Sequence, residues 1–92
     1  MSITSNEFTK DPDALLDYMV DWTKWLGTDT ISLSTWIVPT GITKHADTNT
    51  TKTGTIELLG GAVDKTYEVV NRIDTDGGRI NDQTIVIHIK DK

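Results

Sequence analysis

The stretch from Tyr18 to Gly41 constrains the fold most, because it holds all three tryptophans of the chain, Trp22, Trp25 and Trp36. The other aromatic residues of the sequence are two tyrosines and one phenylalanine. Each buried aromatic side chain removes roughly 150–250 Å² from water, so these residues dominate any core that the chain can build. We therefore expect this stretch to form the centre of the core, with at least two of the tryptophans buried.

Length and composition limit the classes of protein to consider. A chain of 92 residues is expected to form one domain whose core lies between a single pair of packed layers. Such a domain has no room for a large active-site cleft. The absence of cysteine excludes disulfides and thiolate metal sites. A net charge of −5 argues against nucleic acid as a partner, because binding to phosphates needs a clustered basic face.

Neither a membrane nor export is expected. The longest uncharged run lies between Asp29 and Lys44, and it is too short and too rich in Ser and Thr to span a bilayer. The N-terminus lacks a basic start followed by an apolar block, so no secretory leader is expected. The chain is therefore expected to fold in the cytoplasm of the cell that makes it.

Residues 14–26 fit two patterns. The helical pattern places four residues on one face: Leu15, Met19, Trp22 and Leu26. The strand pattern uses four alternating residues: Leu16, Tyr18, Val20 and Trp22. Periodicity leaves the two nearly balanced. We favour a strand, because the rest of the chain is β-rich and a single helix would have no second helix to pack on.

The remaining segments predict further strands. From Thr30 the sequence alternates, but Ile31 and Trp36 fall on opposite sides of a regular strand, so burying both requires a β-bulge near Ser34. The polar run Thr43 to Thr53 predicts a loop or an exposed edge strand. A short strand is expected from Thr55 to Leu59.

Two longer strands follow, and the segment from Asp74 to Gly78 between them is typical of a hairpin turn. They are expected at Thr66 to Ile73 and at Thr84 to Ile89. Tyr67 occupies a position that resembles the tyrosine corner of immunoglobulin-like domains. The pattern predicts an all-β fold, a small immunoglobulin-like antiparallel β-sandwich formed by residues 14–92 as a single domain. Residues 1–13 are expected as an extended N-terminal arm that Phe8 anchors.

No residue pattern indicates catalysis. The two histidines, His45 and His88, have no cysteine partner and no serine in a glycine-flanked elbow. The segment from Asp74 to Gly77 lacks the remaining ligands of a calcium loop, and the glycine pairs lack the context of a phosphate-binding loop. We therefore expect no catalytic residue, no metal and no cofactor.

The candidate functional residues are instead those of a protein interface: Phe8, Trp25, Arg72 and Arg79. Trp25 is out of phase with Trp22 in a strand and lies beside the Gly27 turn, so it is the tryptophan expected to reach an interface. The two arginines flank the hairpin. They are expected to pair with Asp17 or Asp21 of the same chain in preference to the acids of a neighbour.

Two blocks of sequence resemble a known family. The first is Lys10 to Thr43, KDPDALLDYMVDWTKWLGTDTISLSTWIVPTGIT, with its DYxxDWxxWL core; the second, Lys65 to Ile89, contains TYEVVNRIDTDGGRINDQTIVI. Both are similar to phage fibre-tail adaptor proteins, a family of small tailed-bacteriophage and prophage proteins. The resemblance implies a non-enzymatic structural protein of β-sandwich type, located in the virion after synthesis in the bacterial host cytoplasm.

The partners that the resemblance implies are other virion proteins of the tail, fibre or capsid. We also expect a homo-oligomer or many copies in the assembled particle. Two alternatives stay open: a capsid-decorating or cementing protein, and a carbohydrate-binding module that uses Trp25.

Overall fold

The computed structural model describes residues 6–91, which form two β-sheets packed face to face. One sheet has the order β1-β7-β6-β3 and the other β2-β5-β4. The strands are β1 (Glu7–Lys10), β2 (Leu15–Asp21), β3 (Ile31–Ile37), β4 (Ile42–Asn49), β5 (Thr53–Gly60), β6 (Thr66–Thr75) and β7 (Ile80–Ile89), and a short helix, α1 (Thr23–Leu26), lies between β2 and β3. The expected all-β sandwich is confirmed.

The strand order is that of an immunoglobulin-like domain. Numbered along the chain, the second, fifth and fourth strands form one sheet, and the third, sixth and seventh strands form the other, as in constant-type domains. The first strand joins the second group by pairing in parallel with β7, whereas the other strand pairs are antiparallel. No helix in residues 6–91 is long and apolar enough to cross a membrane.

The segment with two competing patterns is mainly a strand, as predicted. In β2 the side chains of Tyr18 and Val20 face the core, and Trp22, directly after the strand, is 1% exposed. Only the end of the segment is helical: α1 is a single turn, and its Leu26 is buried. The strand pairs along its whole length with β5, so backbone pairing across the sheet decides between the two patterns.

The predicted bulge in β3 is confirmed, although it lies closer to the start of the strand than predicted. Ile31 and Trp36 are both buried. The register against β6 shifts between Ile31 and Leu33, two residues before the expected position at Ser34. The extra residue reverses the phase of the strand, so that both large side chains reach the core.

The polar run after β3 is an exposed edge strand, which was one of its two predicted states. In β4 only Ile42 is buried. The register against β5 shifts between Lys44 and Ala46, and Lys44 pairs with Asp47 at 2.5 Å. Bulges and charged side chains commonly protect an edge strand from pairing with another chain.

Tyr67 at the start of β6 forms the expected corner. Its hydroxyl accepts a hydrogen bond from the backbone N–H of Ala62 at 3.0 Å. The ring lies so close to Gly41 that a Cβ there would be 2.9 Å from it. Val69, two residues later, is fully buried where antibody domains carry the second cysteine of their inter-sheet disulfide. Apolar packing therefore replaces the covalent link at this position.

The segment expected as an arm is described from Asn6 onward. Glu7–Lys10 form β1, and Phe8 packs against Tyr18 with 4.9 Å between the ring centroids. Lys10 is fully buried, and its Nζ donates to the carbonyl oxygens of Gly60 and Asp11 at 2.8 and 2.9 Å. Burial lowers the pKa of Lys10. From Glu7 onward this segment is thus an edge strand of the sandwich, and residues 1–5 lie outside the described part.

A buried hydrogen bond joins the two sheets. Trp22 Nε1 donates to Asn71 Oδ1 at 2.9 Å, and Asn71 Nδ2 donates to Ser34 Oγ at 2.9 Å and to the Thr35 carbonyl at 3.2 Å. Asn71 is fully buried in β6. A Cβ on Gly54 would lie 2.6 Å from Asn71 Oδ1, so the glycine leaves room for the amide.

Replacing Asn71 by alanine should destabilise the fold strongly. Asn71→Ala leaves the buried indole N–H of Trp22 without its acceptor and opens a cavity, so we expect the free energy of unfolding to fall by about 2–4 kcal/mol. Urea denaturation followed by circular dichroism measures the change. The matched control Asn49→Ala alters an exposed amide and should cost no more than about 0.5 kcal/mol. Equal losses in the two variants would contradict the assignment.

Candidate functional site

Three of the four predicted interface residues lie at or near one end of the four-stranded sheet. Trp25 is in α1, Arg79 is in the turn between β6 and β7, and Arg72 lies in β6 near that turn. Phe8 is half-buried between β1 and β2, where it packs on Tyr18. The structure therefore brings Trp25 and Arg79 into contact, places Arg72 on the outer face of the same hairpin as Arg79, and keeps Phe8 apart from them.

Arg79 holds α1 against the hairpin. Its guanidinium carbon lies 4.1 Å from the centre of the Trp25 ring, a cation–π contact. Arg79 Nε donates to Asp29 Oδ2 at 3.1 Å, and Nη2 donates to the carbonyl oxygen of Leu26 at 3.0 Å. Trp25 in turn meets the buried Trp22 edge to face, with 5.6 Å between the ring centroids. Trp25 is consequently half-buried and fixed on both sides.

Asp29 organises the loop that follows α1. Its Oδ1 accepts hydrogen bonds from the backbone N–H groups of Thr30 and Gly77, each at 2.9 Å. The pKa of Asp29 is lowered to about 2, mainly by the side-chain hydrogen bond with Thr75 and further by the hydrogen bonds from these two backbone groups and Arg79. A Cβ on Gly77 would lie 2.8 Å from Asp29 Oδ2, so the turn approaches the carboxylate closely because this residue is a glycine.

Further contacts connect this end of the sandwich to neighbouring loops. Thr30 and Asp76 share two bonds, one between the Thr30 hydroxyl and the Asp76 carboxylate and one from the Asp76 N–H to the Thr30 carbonyl. Lys52 Nζ donates to the carbonyl oxygens of Gly27 and Asp29 at 2.9 and 2.7 Å. These hydrogen bonds connect the loops before β3, before β5 and before β7 to one another.

Arg72 pairs with Asp82, its direct neighbour across the hairpin. Arg72 Nε and Nη2 donate to the two carboxylate oxygens at 2.7 and 2.9 Å. The hydrogen bonds from Arg72 lower the pKa of Asp82, and the bonds to Asp82 raise the pKa of Arg72. The pair lies on the exposed face of the sheet, with each side chain nearly half exposed.

The expectation that both arginines pair within the chain is confirmed, but the predicted partners were wrong. Arg72 pairs with Asp82 and Arg79 with Asp29, instead of with Asp17 or Asp21. The two predicted acids lie in β2, which belongs to the other sheet. Arg72 faces outward from its sheet and cannot reach an outward-facing acid of the other sheet. Arg79 lies in the turn, where Asp29 and the Leu26 carbonyl accept its hydrogen bonds.

Ile80 is a surface residue of this region that the sequence did not single out. It is 67% exposed and follows Arg79 directly. A shallow depression of about 340 Å³ is lined by Arg72, Ile80, Asn81 and Asp82. We call Trp25, Arg72, Arg79 and Ile80, together with Asn81 and Asp82, the hairpin surface. A large apolar residue directly after a glycine turn is the signal that would have indicated Ile80.

The two histidines lie on different sheets, each beside a glutamate. No group of three or more His, Cys, Asp or Glu in residues 6–91 is placed to hold a metal ion. His88 lies on the sheet surface between Glu7 Oε1, at 3.0 Å, and Thr66 Oγ1, at 3.1 Å. His45 lies 4.0 Å from Glu57 in the exposed β4. What the arrangement offers is a surface of aromatic, arginine and apolar side chains, in which both arginines are held by carboxylates of the chain.

Acid should remove the contribution of Asp29 to stability. Because its folded-state pKa is about 2, below the ordinary 3.8, the carboxylate stabilises the fold fully above the ordinary value. That contribution is lost as the pH falls through the folded-state value. Asp29→Asn should therefore be less stable than the wild type at pH 7, and the difference should shrink as the pH falls from the ordinary value towards the lowered one.

Urea unfolding at a series of pH values measures this difference. Asp17→Asn, on the exposed side of β2, is the matched control and should change the free energy of unfolding little at any pH. A gap between wild type and Asp29→Asn that stays constant down to the folded-state pKa would contradict the role given to Asp29.

Comparison with known proteins supports both the fold and the resemblance found in the sequence. The PKD domain from KIAA 1837 protein, a solution structure, matches with a TM-score of 0.57 and 16% sequence identity, covering 96% of this chain and 81% of that one. This likeness shows the immunoglobulin-like fold alone. No curated protein matches the chain. The family model for Gp77, the podophage GP4 fiber-tail adaptor protein, matches residues 10–88. The chain therefore belongs to the podophage fibre-tail adaptor family.

Proposed function

We propose that this protein connects the tail and the tail fibre of a podophage virion through protein–protein contacts, without catalysing a reaction. The family match over residues 10–88 is the observation that carries the proposal, since it includes both the core stretch and the hairpin. The protein is made in the host cytoplasm and then incorporated into the particle. Its partners are other virion proteins, and several copies are present in each particle.

The hairpin surface suits such a contact. Aromatic and arginine side chains are enriched at protein interfaces, where they supply a large contact area and directed hydrogen bonds. Ile80 offers an exposed apolar side chain beside the depression. Because Asp29 and Arg79 fix the surrounding loops, a partner would meet a surface that loses little conformational freedom on binding.

The four candidate residues take different parts in this proposal. Trp25, Arg72 and Arg79 belong to the hairpin surface and contact the partner there. Phe8 takes an indirect part: by packing on Tyr18 it holds the edge strand β1 against the rest of the sandwich.

Charge and burial argue against two other kinds of partner, nucleic acid and carbohydrate. The net charge of −5 repels a phosphate backbone, and both arginines already pair with carboxylates of the chain. A carbohydrate-binding module would need exposed aromatic rings for a sugar to stack on. Arg79 covers one face of Trp25, and Trp22 and Trp36 are buried.

Ile80→Lys should weaken attachment to the particle. The change replaces the exposed aliphatic side chain of the hairpin surface by a charge, and the fold should tolerate it because Ile80 is 67% exposed. We expect the affinity for tails or virions lacking the protein to fall by about tenfold or more, as for loss of a central interface residue. Co-sedimentation of purified protein with such particles measures the affinity.

The matched control is Met19→Lys, which adds the same charge at a 56% exposed apolar residue of the other sheet and should bind as the wild type does. Labelling of virions with an antibody to the protein locates it independently. Label on the capsid faces in hundreds of copies would favour a decorating protein and refute the adaptor. Unchanged binding of Ile80→Lys would remove the hairpin surface from the contact.

A further inference from the structure

Strand β3 differs from the other edge strands of the described residues in carrying no charged side chain. Its sequence is ISLSTWI, and it has a neighbour, β6, on one side only. The other edges, β1, β2 and β4, each contain charged residues: Glu7 and Lys10, Asp17 and Asp21, and Lys44 and Asp47. Charges on an edge strand discourage pairing with another chain, so β3 lacks the protection that the other edges have.

The exposed side of β3 is apolar and symmetric in pattern. Leu33 is 55% exposed and Ile37 is 45% exposed, with the exposed Thr35 midway between them. After the bulge, these three residues alternate with Ser34 and the buried Trp36, so they share the outer face of the sheet. The outer face therefore has a large aliphatic residue two positions before Thr35, Leu33, and another two positions after it, Ile37.

We propose that a second copy of the chain pairs with β3 in antiparallel orientation, with the two-fold axis at Thr35. In this register Leu33 of each copy lies opposite Ile37 of the other, and Thr35 lies opposite its own equivalent. Cross-strand pairs of large aliphatic residues stabilise antiparallel sheets. The two four-stranded sheets become one continuous sheet of eight strands, which satisfies the free backbone groups of both β3 edges.

The absence of charged side chains on β3 makes this edge compatible with a second copy as the occupant. Each copy carries a net charge of −5, so two copies repel unless their contact keeps the carboxylates apart. In the described part of the chain, β3 is the edge that meets this condition. The twofold pattern of its outer face fits an isologous contact, in which the same patch serves on both subunits.

The other apolar edge does not satisfy the same condition. β2 exposes Leu15 and Met19 on its outer face, but Asp17 and Asp21 lie on that face too. Self-pairing about Met19 would place Asp17 opposite Asp21 of the second copy, and like charges directly opposite each other destabilise a sheet. In that register the carboxylates of the two β2 strands face each other, whereas β3 brings no charged side chain of its own to the contact.

A cysteine at the proposed axis tests the register directly, because the chain contains no other cysteine. Residues directly opposite in an antiparallel pair have Cβ atoms about 4.5–5.5 Å apart, near the separation in a disulfide. Thr35→Cys should form a covalent dimer under mild oxidation. Two matched controls should form no covalent dimer under the same oxidation: Thr48→Cys on the edge strand β4 and Thr84→Cys on the outer face of β7.

A charge in the contact tests the association without cross-linking. The wild type should approach the mass of a dimer as its concentration rises, measured by sedimentation equilibrium. Leu33→Lys should raise the dimer dissociation constant about tenfold or more. Ile80→Lys, which alters the same outer face two strands away, should leave that constant unchanged.

The outcomes separate this proposal from the adaptor proposal, on which it does not depend. A monomeric wild type together with an uncross-linked Thr35→Cys would overturn the pairing. A dimer that Thr48→Cys or Thr84→Cys traps instead would also overturn it. If Leu33→Lys abolishes incorporation into virions while the pure wild type stays monomeric, β3 pairs with another virion protein and the second copy is refuted.

Discussion

The hydrogen bond between Trp22 and Asn71 determines much of the architecture. A fully buried indole N–H needs an acceptor, and Asn71 supplies it from the opposite sheet at 2.9 Å. The same amide donates to β3 through Ser34 and the Thr35 carbonyl, so one side chain fixes β2, β3 and β6 relative to each other. The sandwich has no disulfide, since the chain has no cysteine. This polar link and the packing around Val69 take the place of the covalent bond of antibody domains.

The candidate interaction surface follows from that link. With Trp22 held in the core, β2 ends and the chain turns through α1, which sets Trp25 against Trp22. Trp25 then forms the base on which Arg79 stacks, and Arg79 reaches Asp29. Successive contacts from Trp22 to Trp25, Arg79 and Asp29 therefore connect this end of the hairpin surface to the core. Many other binding surfaces lie on mobile loops.

The sequence predicted those features that depend on local pattern. The β-rich pattern of the rest of the chain decided for β2 where periodicity left strand and helix nearly balanced. The turn signal from Asp74 to Gly78 identified the hairpin, and the phase of Ile31 and Trp36 required the bulge. It could not identify features that depend on register between distant segments. The pairing of Arg72 with Asp82 requires the exact alignment of β6 on β7, and the parallel pairing of β1 with β7 joins residues about eighty positions apart. A short polar segment such as Glu7–Lys10 carries no periodic signal strong enough to indicate that alignment.

The two proposed contacts are geometrically compatible. Leu33, Asp74 and Ile80 lie in one row across β3, β6 and β7, so Leu33 and Ile80 are two strand spacings apart, about 10 Å. A second copy paired with β3 extends the sheet away from β7 and leaves Ile80 and the depression beside Arg72 uncovered. A dimer formed in this way would present two hairpin surfaces related by a two-fold axis. Two linked binding surfaces, each of weak affinity, bind a structure of repeated subunits more strongly than one surface does. This property suits a protein that joins parts of a particle built from repeated subunits.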